Sequence, residues 1–452
     1  MVNLGFYGGV NEIGGNKILI EDGDAKCWFD FGQSFTMGAN YYTGYLQPRT
    51  INGLQDYFEF SLVPKIPGLY DAELLKRTNL QYKDPQFDAV FLTHAHMDHV
   101  NQLCLIDPKI PVYLGEGTKI FMDTMEQTSG TSYGTHPYHM FRTGATIKIG
   151  KLEVEPIHVD HSIPAAYGYL IHTSEGTIVY TGDYRTHGTK SDMTEEFIEC
   201  AIEHKPVAMI TEGTRMELKS KRHNLTESQV YQGVLEICKH ADTKKQMLIY
   251  THGPRDMDRL RTFYKAAEAC ERMIVISPKT AHLLDRLISD EHLDLPDPVK
   301  DDLIAVYYKR KKSGEYDPSD YYKWERSFLS KRVTIEELKA YPQRYVLNID
   351  FFSLGELIDI RPELGTHYIH SMSEPFGEED IESQVLQNWI KHFKLNYQQL
   401  HASGHIGRKE LIETINRIKP RKIFPIHTEN PAMFDDYYSN VIKPELGKNY
   451  SL

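Results

Sequence analysis

Short apolar runs separated by turn residues fill the first part of the chain. Residues 17–21 and 25–31 flank Asp22-Gly23-Asp24, an arrangement that predicts a β-hairpin. Further apolar runs predict strands at residues 87–93, 145–150, 152–159, 166–171, 177–181 and 206–211. Some of these runs alternate with polar residues, whereas others are continuous, as is typical of strands buried on both faces. Residues 1–217 are therefore predicted to form a sheet-rich domain.

The pattern changes between residues 218 and 385. Apolar spacing predicts helices at residues 228–240, 256–270 and 279–290, with strands at residues 246–251 and 272–277 between them. Strands and helices that alternate at this pace indicate a small parallel α/β domain. Residues 295–345 are polar and rich in Lys, Glu and Tyr, and their pattern assigns no element.

Residues 386–452 return to the first pattern. A helix is predicted near residues 382–393, a second helix at residues 408–418 and a strand at residues 421–426. One domain inserted into another is the simplest arrangement that accounts for this return. We expect residues 1–217 and 386–452 to form one domain, and residues 218–385 to form the insertion.

The formal net charge of −12 and the five scattered cysteines narrow the class of protein. Cysteines without a C-x-x-C pattern favour a reducing cytosol over a disulfide framework. No apolar run approaches the roughly 18 residues of a membrane span, and residues 1–15 lack a signal-peptide pattern, so we expect a cytoplasmic protein without membrane contact. The acidic balance disfavours a protein that coats nucleic acid, but it is compatible with a nuclease, because bound metal ions add local positive charge.

Four side chains of the types that bind metals follow directly after the apolar run at residues 87–92. They are His94, His96, Asp98 and His99, in the segment T-H-A-H-M-D-H. A strand that ends in such a loop directs these groups toward one point. Four such groups packed together without a metal ion would repel one another and lose solvation, so a purely structural role is disfavoured.

Two divalent ions need more ligands than this loop supplies, and three later strand ends offer them: His161, Asp183 and His427. A lone histidine at a strand end is more often structural, but Asp183 has two carboxylate oxygens and could bridge a pair of ions. Imidazole and carboxylate suit Zn²⁺, with Mn²⁺ as the alternative. Paired ions about 3.5–4 Å apart hold a phosphate and activate water near neutral pH.

The order of these motifs resembles that of the metallo-β-lactamase superfamily: H-x-H-x-D-H, then a lone His, then T-G-D, then a late His. The resemblance implies an α/β fold, an αββα sandwich with two metal ions at the edges of its sheets. It also implies that Asp30, in the segment F-D-F-G, supports the metal loop from outside the ligand set.

The inserted domain resembles the parallel α/β insertion of the β-CASP nucleases within this superfamily. Glu212 in T-E-G-T, His405 in H-A-S-G-H, and His427 match the positions of three β-CASP motifs. In that group, a histidine at the third position accompanies RNA substrates. The segments G-G-V-N-E-I-G-G-N at residues 8–16 and H-S-I-P at residues 161–164 further resemble ribonuclease J.

This resemblance implies a role for individual side chains in the metal-assisted hydrolysis of RNA. Asp98 would orient or deprotonate the attacking water, His405 would protonate the leaving 3′-oxygen, and Glu212 would hold the ring of His405. The residues expected to contact the substrate are Ser371, Ser373, His401, Ser403 and Gly404. An ordinary loop role for His401, and a capping turn at residues 371–374, remain open as alternatives.

Three classes of function are compatible with these motifs. The first is a ribonuclease that acts as an exonuclease, an endonuclease or both. The second is a small-molecule metallo-hydrolase of the same fold, of the thioesterase or lactonase type, and the third is a catalytically quiet RNA-binding protein. The aromatic and basic stretches at residues 307–312 and 321–324 are either RNA contacts or solvated faces. A homodimer is one candidate for the oligomeric state of the protein.

Overall fold

The computed structural model describes residues 1–35, 40–42, 46–217, 224–290, 292–373 and 380–452. The chain forms two compact units: residues 1–186, 190–220 and 404–452 make the first, and residues 187–189 and 221–403 make the second. The later boundary differs from the one predicted between residues 385 and 386. It lies further along because strand Asn396–Gln399 pairs with strand His367–Ser371 and so belongs to the second unit.

Strands are numbered in chain order. Among the described residues they are β1 (Val2–Gly8), β2 (Lys17–Asp22), β3 (Ala25–Phe29), β4 (Ala89–Phe91), β5 (Val112–Gly115), β6 (Tyr138–Phe141), β7 (Ile147–Ile149), β8 (Leu152–Val159), β9 (Ala166–Thr173), β10 (Gly176–Tyr180), β11 (Ala208–Glu212), β12 (Leu248–His252), β13 (Met273–Ile276), β14 (Ile304–Tyr307), β15 (Arg332–Val333), β16 (Tyr345–Asn348), β17 (His367–Ser371), β18 (Asn396–Gln399), β19 (Ile423–Ile426) and β20 (Asn449–Ser451).

Helices are numbered in the same way. The described α-helices are α1 (Gln55–Glu59), α2 (Ala72–Leu75), α3 (Met97–Val100), α4 (Glu116–Ser129), α5 (Ser191–His204), α6 (Glu227–Thr243), α7 (Met257–Ala269), α8 (Pro278–Leu287), α9 (Ile335–Ala340), α10 (Leu357–Ile360), α11 (Ile381–Phe393) and α12 (Arg408–Ile418). Helix α6 begins where it does because the Thr226 hydroxyl accepts a hydrogen bond from the backbone N–H of Gln229, whose side chain caps Thr226 in return.

Two sheets face each other in the first unit. One has the strand order β20-β1-β2-β3-β4-β5-β6, and the other has the order β19-β11-β10-β9-β8-β7. Their inner faces meet in a single core, to which Phe6, Phe29 and Phe91 contribute from the first sheet, and Tyr169 and Ile210 from the second. The sheets face each other in this way because their strands have one apolar face. In β8, for example, buried residues largely alternate with partly exposed ones along the strand.

Helices cover the outer faces of these two sheets. Helices α5 and α12 bury Phe197 and Ile415 in a second core, which they share with Leu170 and Val179 of the second sheet. Helix α4 packs beside β5 of the first sheet and buries Phe121. The first unit is therefore the αββα sandwich that the sequence predicted.

Parallel strand pairs place their carboxyl ends at one edge of each sheet. Strand β3 is parallel to β4 in the first sheet, and β11 is parallel to both β10 and β19 in the second. The segments that follow these strands begin with or contain Asp30, His94, Asp183 and His427, while Glu212 is the last residue of β11. The topology thus collects the predicted ligands, which are far apart in sequence.

The second unit contains one sheet with the order β15-β14-β13-β16-β12-β17-β18, and its described strand pairs are parallel. Strand β12 is buried at every position, as expected for a parallel sheet covered on both faces. Ile249 and Leu347 pack on one face against Leu386 and Ile390 of α11. This unit is the parallel α/β domain that the change of pattern predicted.

Several elements have no clear signal in the sequence. Strands β5 and β6 are short, and helices α4 and α5 show only a few buried positions between polar residues. Within residues 295–345, which received no assignment, the structure has β14, β15 and α9. Strand β15 is only two residues long, too short for any periodic pattern to form.

No helix in the described ranges combines the length and the apolar character needed to cross a membrane.

Candidate metal centre

The loop between β4 and α3 carries the predicted metal motif on a tightly packed backbone. The N–H of Asn16 donates to the carbonyl of Asp98 at 3.1 Å, and the N–H of Phe31 donates to the carbonyl of His99 at 2.8 Å. A Cβ added at Gly32 would lie 1.7 Å from the Asp98 carbonyl oxygen. Glycine is therefore required at residue 32, because any side chain would displace the loop that holds the ligands.

Three histidines and one aspartate form the first group of candidate ligands: His94, His96, His161 and Asp183. Nε2 of His94 and Nε2 of His161 each lie 3.0 Å from Nδ1 of His96. Nε2 of His94 lies 3.7 Å from Oδ2 of Asp183. Three ring nitrogens thus converge on one point beside a carboxylate.

The second group shares Asp183 and adds Asp98, His99 and His427. Nε2 of His427 lies 2.9 Å from Oδ2 of Asp98, and Nε2 of His99 lies 3.1 Å from Oδ2 of Asp183. The side chains of His99 and His427 are at most 1% exposed. The seven predicted ligands therefore form two adjacent groups with Asp183 between them.

The outward-facing nitrogens of four of these histidines each contact a fixed oxygen. Nδ1 of His99 lies 2.7 Å from Oδ2 of Asp30, and Nδ1 of His161 donates to the carbonyl of Gly404 at 2.6 Å. Nδ1 of His94 contacts the hydroxyl of Thr93 at 3.0 Å, and Nδ1 of His427 contacts that of Thr214 at 2.8 Å. A histidine that donates its Nδ1–H in this way presents the lone pair of Nε2 to a metal ion.

Asp30 is the central support of this arrangement. It is fully buried, and its carboxylate accepts from the N–H of Thr93 at 2.8 Å and from the hydroxyl of Tyr180 at 2.6 Å, in addition to its contact with His99. Asp30 and His427 both adopt left-handed backbone conformations, with φ values of 58° and 51°. This left-handed geometry costs each residue on the order of 1–3 kcal/mol.

The charges of the buried groups depend on one another. Burial lowers the pKa of His94 and His161 well below the usual value, and neighbouring imidazoles lower it further, so both rings are neutral. Burial would also lower the pKa of His427, but Asp183 and Asp98 outweigh it and raise the pKa to about 9. The carboxylates of Asp98 and Asp183 are thus held ionised by positive charge nearby.

The donor set fits a divalent cation. Ligands about 2.0–2.1 Å from a tetrahedral zinc ion lie roughly 3.3 Å from one another, close to the spacing of these ring nitrogens and carboxylate oxygens. Oδ1 of Asp183 is buried and has no hydrogen-bond partner among the residues that the structure describes. A buried acceptor of this kind is costly unless a cation or donor occupies the space beside it.

Glu212 and His405 form a pair beside the second group. Nδ1 of His405 lies 3.1 Å from Oε2 of Glu212 and 3.8 Å from Oδ2 of Asp183. Burial lowers the pKa of His405, but Glu212 and Asp183 more than compensate and the pKa ends above its usual value. The hydroxyl of Thr214 lies 3.2 Å from Nδ1 of His405 and also contacts His427.

Two of the predicted substrate residues meet around a buried arginine within the second unit. Nε and Nη2 of Arg259 donate to the two carboxylate oxygens of Glu227, at 2.8 and 3.0 Å. Nη1 of Arg259 donates to the carbonyl of Ser371 at 3.1 Å and lies 3.2 Å from Nδ1 of His401. Nη2 also donates to the carbonyl of Ala402 at 3.0 Å. Arg259 therefore holds the ends of two loops in place.

The remaining predicted substrate residues have different surroundings. Ser371 is buried and its hydroxyl donates to the carbonyl of Leu400, whereas Ser373 is exposed. The carbonyl of Ser403 accepts from Nε2 of His187 at 3.0 Å. Gly404 belongs to the first unit, where its carbonyl supports His161 as described. Residue 374, the last residue of the predicted capping turn, lies outside the described residues.

Four supporting residues were not singled out from the sequence: Thr93, Tyr180, Thr214 and Arg259. Thr93 and Thr214 stand within the motifs that were recognised, so proximity to a motif was a usable signal for both. Tyr180 and Arg259 lie in β10 and α7, and their contacts arise only from the packing of distant segments.

Two family models match parts of the chain. The Beta-lactamase superfamily domain matches residues 66–252, and the Zn-dependent metallo-hydrolase RNA specificity domain matches residues 386–442. The first covers the loop with His94, His96, Asp98 and His99 together with His161, Asp183 and Glu212, and the second covers His405 and His427. Together with the clusters of histidines and aspartates in the first unit, these matches support divalent metal binding.

Curated proteins and a solved structure are also similar to the chain. The chain is 25% identical to the Ribonuclease J of Sinorhizobium meliloti over 81% of its own length and 62% of that protein. It is 23% identical to the Ribonuclease J of Helicobacter pylori strain B128, over 93% of its own length and 55% of that protein. The chain thus spans little more than half of these relatives. A crystal structure of a protein of unknown function from Enterococcus faecalis V583 has the same fold, with a TM-score of 0.79 and 24% identity over 100% of both chains.

We predict that Gly32→Ala weakens metal binding by about 10–100-fold, the range found when residues that support metal ligands are changed. The added methyl group forces the backbone of the Asp98 loop to move, and it costs about 1–3 kcal/mol of stability as well. Metal content after dialysis against buffered Zn²⁺ measures the effect. Gly355→Ala is the control, because a Cβ at Gly355 meets nothing within 4 Å. Equal metal content in the two variants would contradict the prediction.

We predict that Arg259→Gln lowers the free energy of unfolding by about 3–5 kcal/mol, because it leaves the buried carboxylate of Glu227 without its partner. Arg417→Gln is the matched control, since Arg417 and Glu195 form an ion pair in which both side chains are more than 40% exposed. Such a surface pair contributes only about 0–1 kcal/mol. Urea denaturation followed by circular dichroism compares the variants, and similar losses in both would show that the Arg259 network is not a major source of stability.

Proposed function

Because the chain belongs to the ribonuclease J-like, β-CASP group of the metallo-β-lactamase superfamily, we propose that it is a metal-dependent ribonuclease that hydrolyses RNA phosphodiester bonds. One observation carries the proposal. Two groups of buried or half-buried imidazoles and carboxylates share Asp183, and the Glu212–His405 pair lies directly beside them. This combination supplies both the metal ligands and a proton donor that phosphodiester hydrolysis requires.

The metal centre is proposed to be dinuclear. His94, His96, His161 and Asp183 would hold one ion, and Asp98, His99, His427 and Asp183 would hold the other. Zn²⁺ is the proposed metal because histidines provide most of the ligands, with Mn²⁺ as the alternative. When bound, such ions neutralise charge on the non-bridging phosphate oxygens and lower the pKa of water.

The protein's own groups then position and move protons. Asp98 is assigned to orient the attacking water, since its carboxylate lies against His427 on the inner side of the ligand groups. His405 is assigned to protonate the leaving 3′-oxygen through Nε2, the ring nitrogen opposite the Glu212 contact. Glu212 holds the ring through Nδ1 and, together with Asp183, raises the pKa of His405 above its usual value, which favours the protonated form that a general acid needs.

Recognition of RNA is assigned to the predicted substrate residues in two ways. The hydroxyl groups of Ser373 and Ser403 and the backbone N–H of Gly404 are proposed to contact phosphate groups, because hydroxyl and N–H donors suit anions. Ser371 and His401 are proposed to contact the RNA from two loops that Arg259 holds in place. The protein is also proposed to be cytoplasmic and to form a homodimer.

A nuclease assay tests the proposed function. Purified protein is incubated with 5′-labelled and 3′-labelled RNA in the presence of Zn²⁺ or Mn²⁺, with EDTA and with the double variant His94→Ala, Asp183→Ala as controls. We expect cleavage that both controls abolish. An internally labelled RNA with a blocked 5′ end distinguishes an endonuclease from a 5′ exonuclease, because only an endonuclease cuts it freely. Absence of metal-dependent cleavage of any of these RNAs by folded, metal-loaded protein would refute the proposal.

We predict that His405→Ala lowers kcat by about 10²–10⁴-fold with both metals retained, the usual contribution of a general acid. A substrate whose leaving 3′-oxygen is replaced by sulfur needs no proton, since a thiolate leaves readily on its own. His405→Ala should therefore cleave this substrate at close to the wild-type rate.

The matched control is His139→Ala, because His139 is an exposed histidine on β6 that belongs to none of the candidate ligand groups. It should cleave both substrates normally. If His405→Ala loses metal, or fails equally on the sulfur-containing substrate, His405 is a ligand or a structural residue and the general-acid role is wrong.

A further inference from the structure

A second cluster of metal-binding side chains lies in the first unit, outside the centre described above. Glu155 on β8, His172 on β9 and His204 at the end of α5 place one ligand atom each within 4.8 Å of the other two. Neither the family resemblance nor the proposed ribonuclease chemistry uses these residues. We propose that Glu155, His172 and His204 form a separate site for a single Zn²⁺ ion.

The sheet places two of the three ligands on one face. In the antiparallel pair β8–β9, His172 lies opposite Glu153, so Glu155 is its diagonal neighbour on the same face. Nε2 of His172 lies 3.4 Å from Oε1 of Glu155, close to the spacing of two ligands on a tetrahedral ion. These two ligands are thus already in position.

Helix α5 supplies the third ligand. The helix packs on this face of the sheet through Phe197 and Ile198, and its last residue is His204. The ring centroids of His172 and His204 lie 5.0 Å apart. The side chain of His204 is exposed, and its ligand atom lies within 4.8 Å of the ligand atoms of His172 and Glu155.

Hydrogen bonds prepare both rings to bind metal. Nδ1 of His204 donates to the carbonyl of Cys200 at 2.8 Å, which leaves the lone pair on Nε2. Nδ1 of His172 lies 3.0 Å from the hydroxyl of Thr177, and in the same tautomer Nε2 of His172 faces Glu155. Ligand histidines in zinc sites are held in this way by a carbonyl, a hydroxyl or a carboxylate on the other ring nitrogen.

The local charge also favours a cation. Glu196, Glu199 and Glu203 of α5 lie near enough to Cys200, together with Glu155, to act on its thiol electrostatically. The C-terminus of a helix carries partial negative charge, and His204 is at that end of α5. Two histidines and one carboxylate leave a fourth position for water, and the ion would fasten the end of α5 to strands β8 and β9.

Counting zinc tests the proposal on the protein with its catalytic metals in place. The protein is dialysed against buffered Zn²⁺, and zinc per chain is measured by mass spectrometry. Wild type should bind one more zinc than His172→Gln or His204→Gln, and Glu155→Gln should bind the extra ion at least 10-fold more weakly. His139→Gln, which changes an exposed histidine elsewhere in this unit, should match wild type.

A change outside the ligand set separates metal binding from a simple ion pair between His172 and Glu155. Thr177→Val removes the hydroxyl beside Nδ1 of His172 with little change in shape, and it should weaken the extra zinc by about 10–100-fold. Circular dichroism establishes that each variant is folded. If all folded variants bind as much zinc as wild type, with the same affinity, the site does not exist.

Discussion

The first unit is organised around imidazole nitrogens and carboxylate oxygens whose lone pairs converge on one space. Positive charge in that space is needed to offset their mutual repulsion. Nε2 atoms of His94 and His161 and Nδ1 of His96 point toward one another at about the van der Waals distance, and the carboxylates of Asp98 and Asp183 face the same space. In an apolar interior, converging lone pairs and carboxylates repel strongly. The two facing sheets, the glycine at residue 32 and the buried Asp30 all serve to keep these groups where a cation is needed. Metal binding and the stability of this part of the fold are therefore coupled.

The hydrogen bonds that orient the candidate ligands are as important to the site's geometry as the ligands themselves. Thr214 illustrates this, because its one hydroxyl lies between His427, a candidate ligand, and His405, the candidate acid. We expect any shift of His427 to move Thr214 and, through it, the ring of His405. Asp183 has a similar dual position, since it belongs to each of the three overlapping groups of potential ligands in the first unit's centre. The candidate metal ligands and the Glu212–His405 pair therefore form one connected network of contacts.

Sequence patterns predicted the two kinds of domain and the residues that the structure brings together in the metal centre. The reason is physical: strand ends and short loops with several histidines and aspartates have few uses other than metal binding, and strong apolar runs fix the strands that precede them. Arg259 could not be predicted, because it joins Glu227, Ser371 and Ala402, which approach one another only after the second unit has folded. The boundary at residue 385 was placed too early for a related reason. Strand β18 has one exposed and three half-buried residues, so its sequence carries no apolar signal.

The left-handed backbone at Asp30 and His427 has a consequence for how this protein can change over evolutionary time. Each costs on the order of 1–3 kcal/mol relative to a relaxed conformation. Elsewhere, a glycine at such a position would relieve the cost and raise thermal resistance, but here it would delete the carboxylate that orients His99 or the imidazole that faces Asp98. Substitutions that raise thermal stability are therefore expected in other parts of the chain. At residues 30 and 427 the side chain is needed in spite of its cost in backbone free energy.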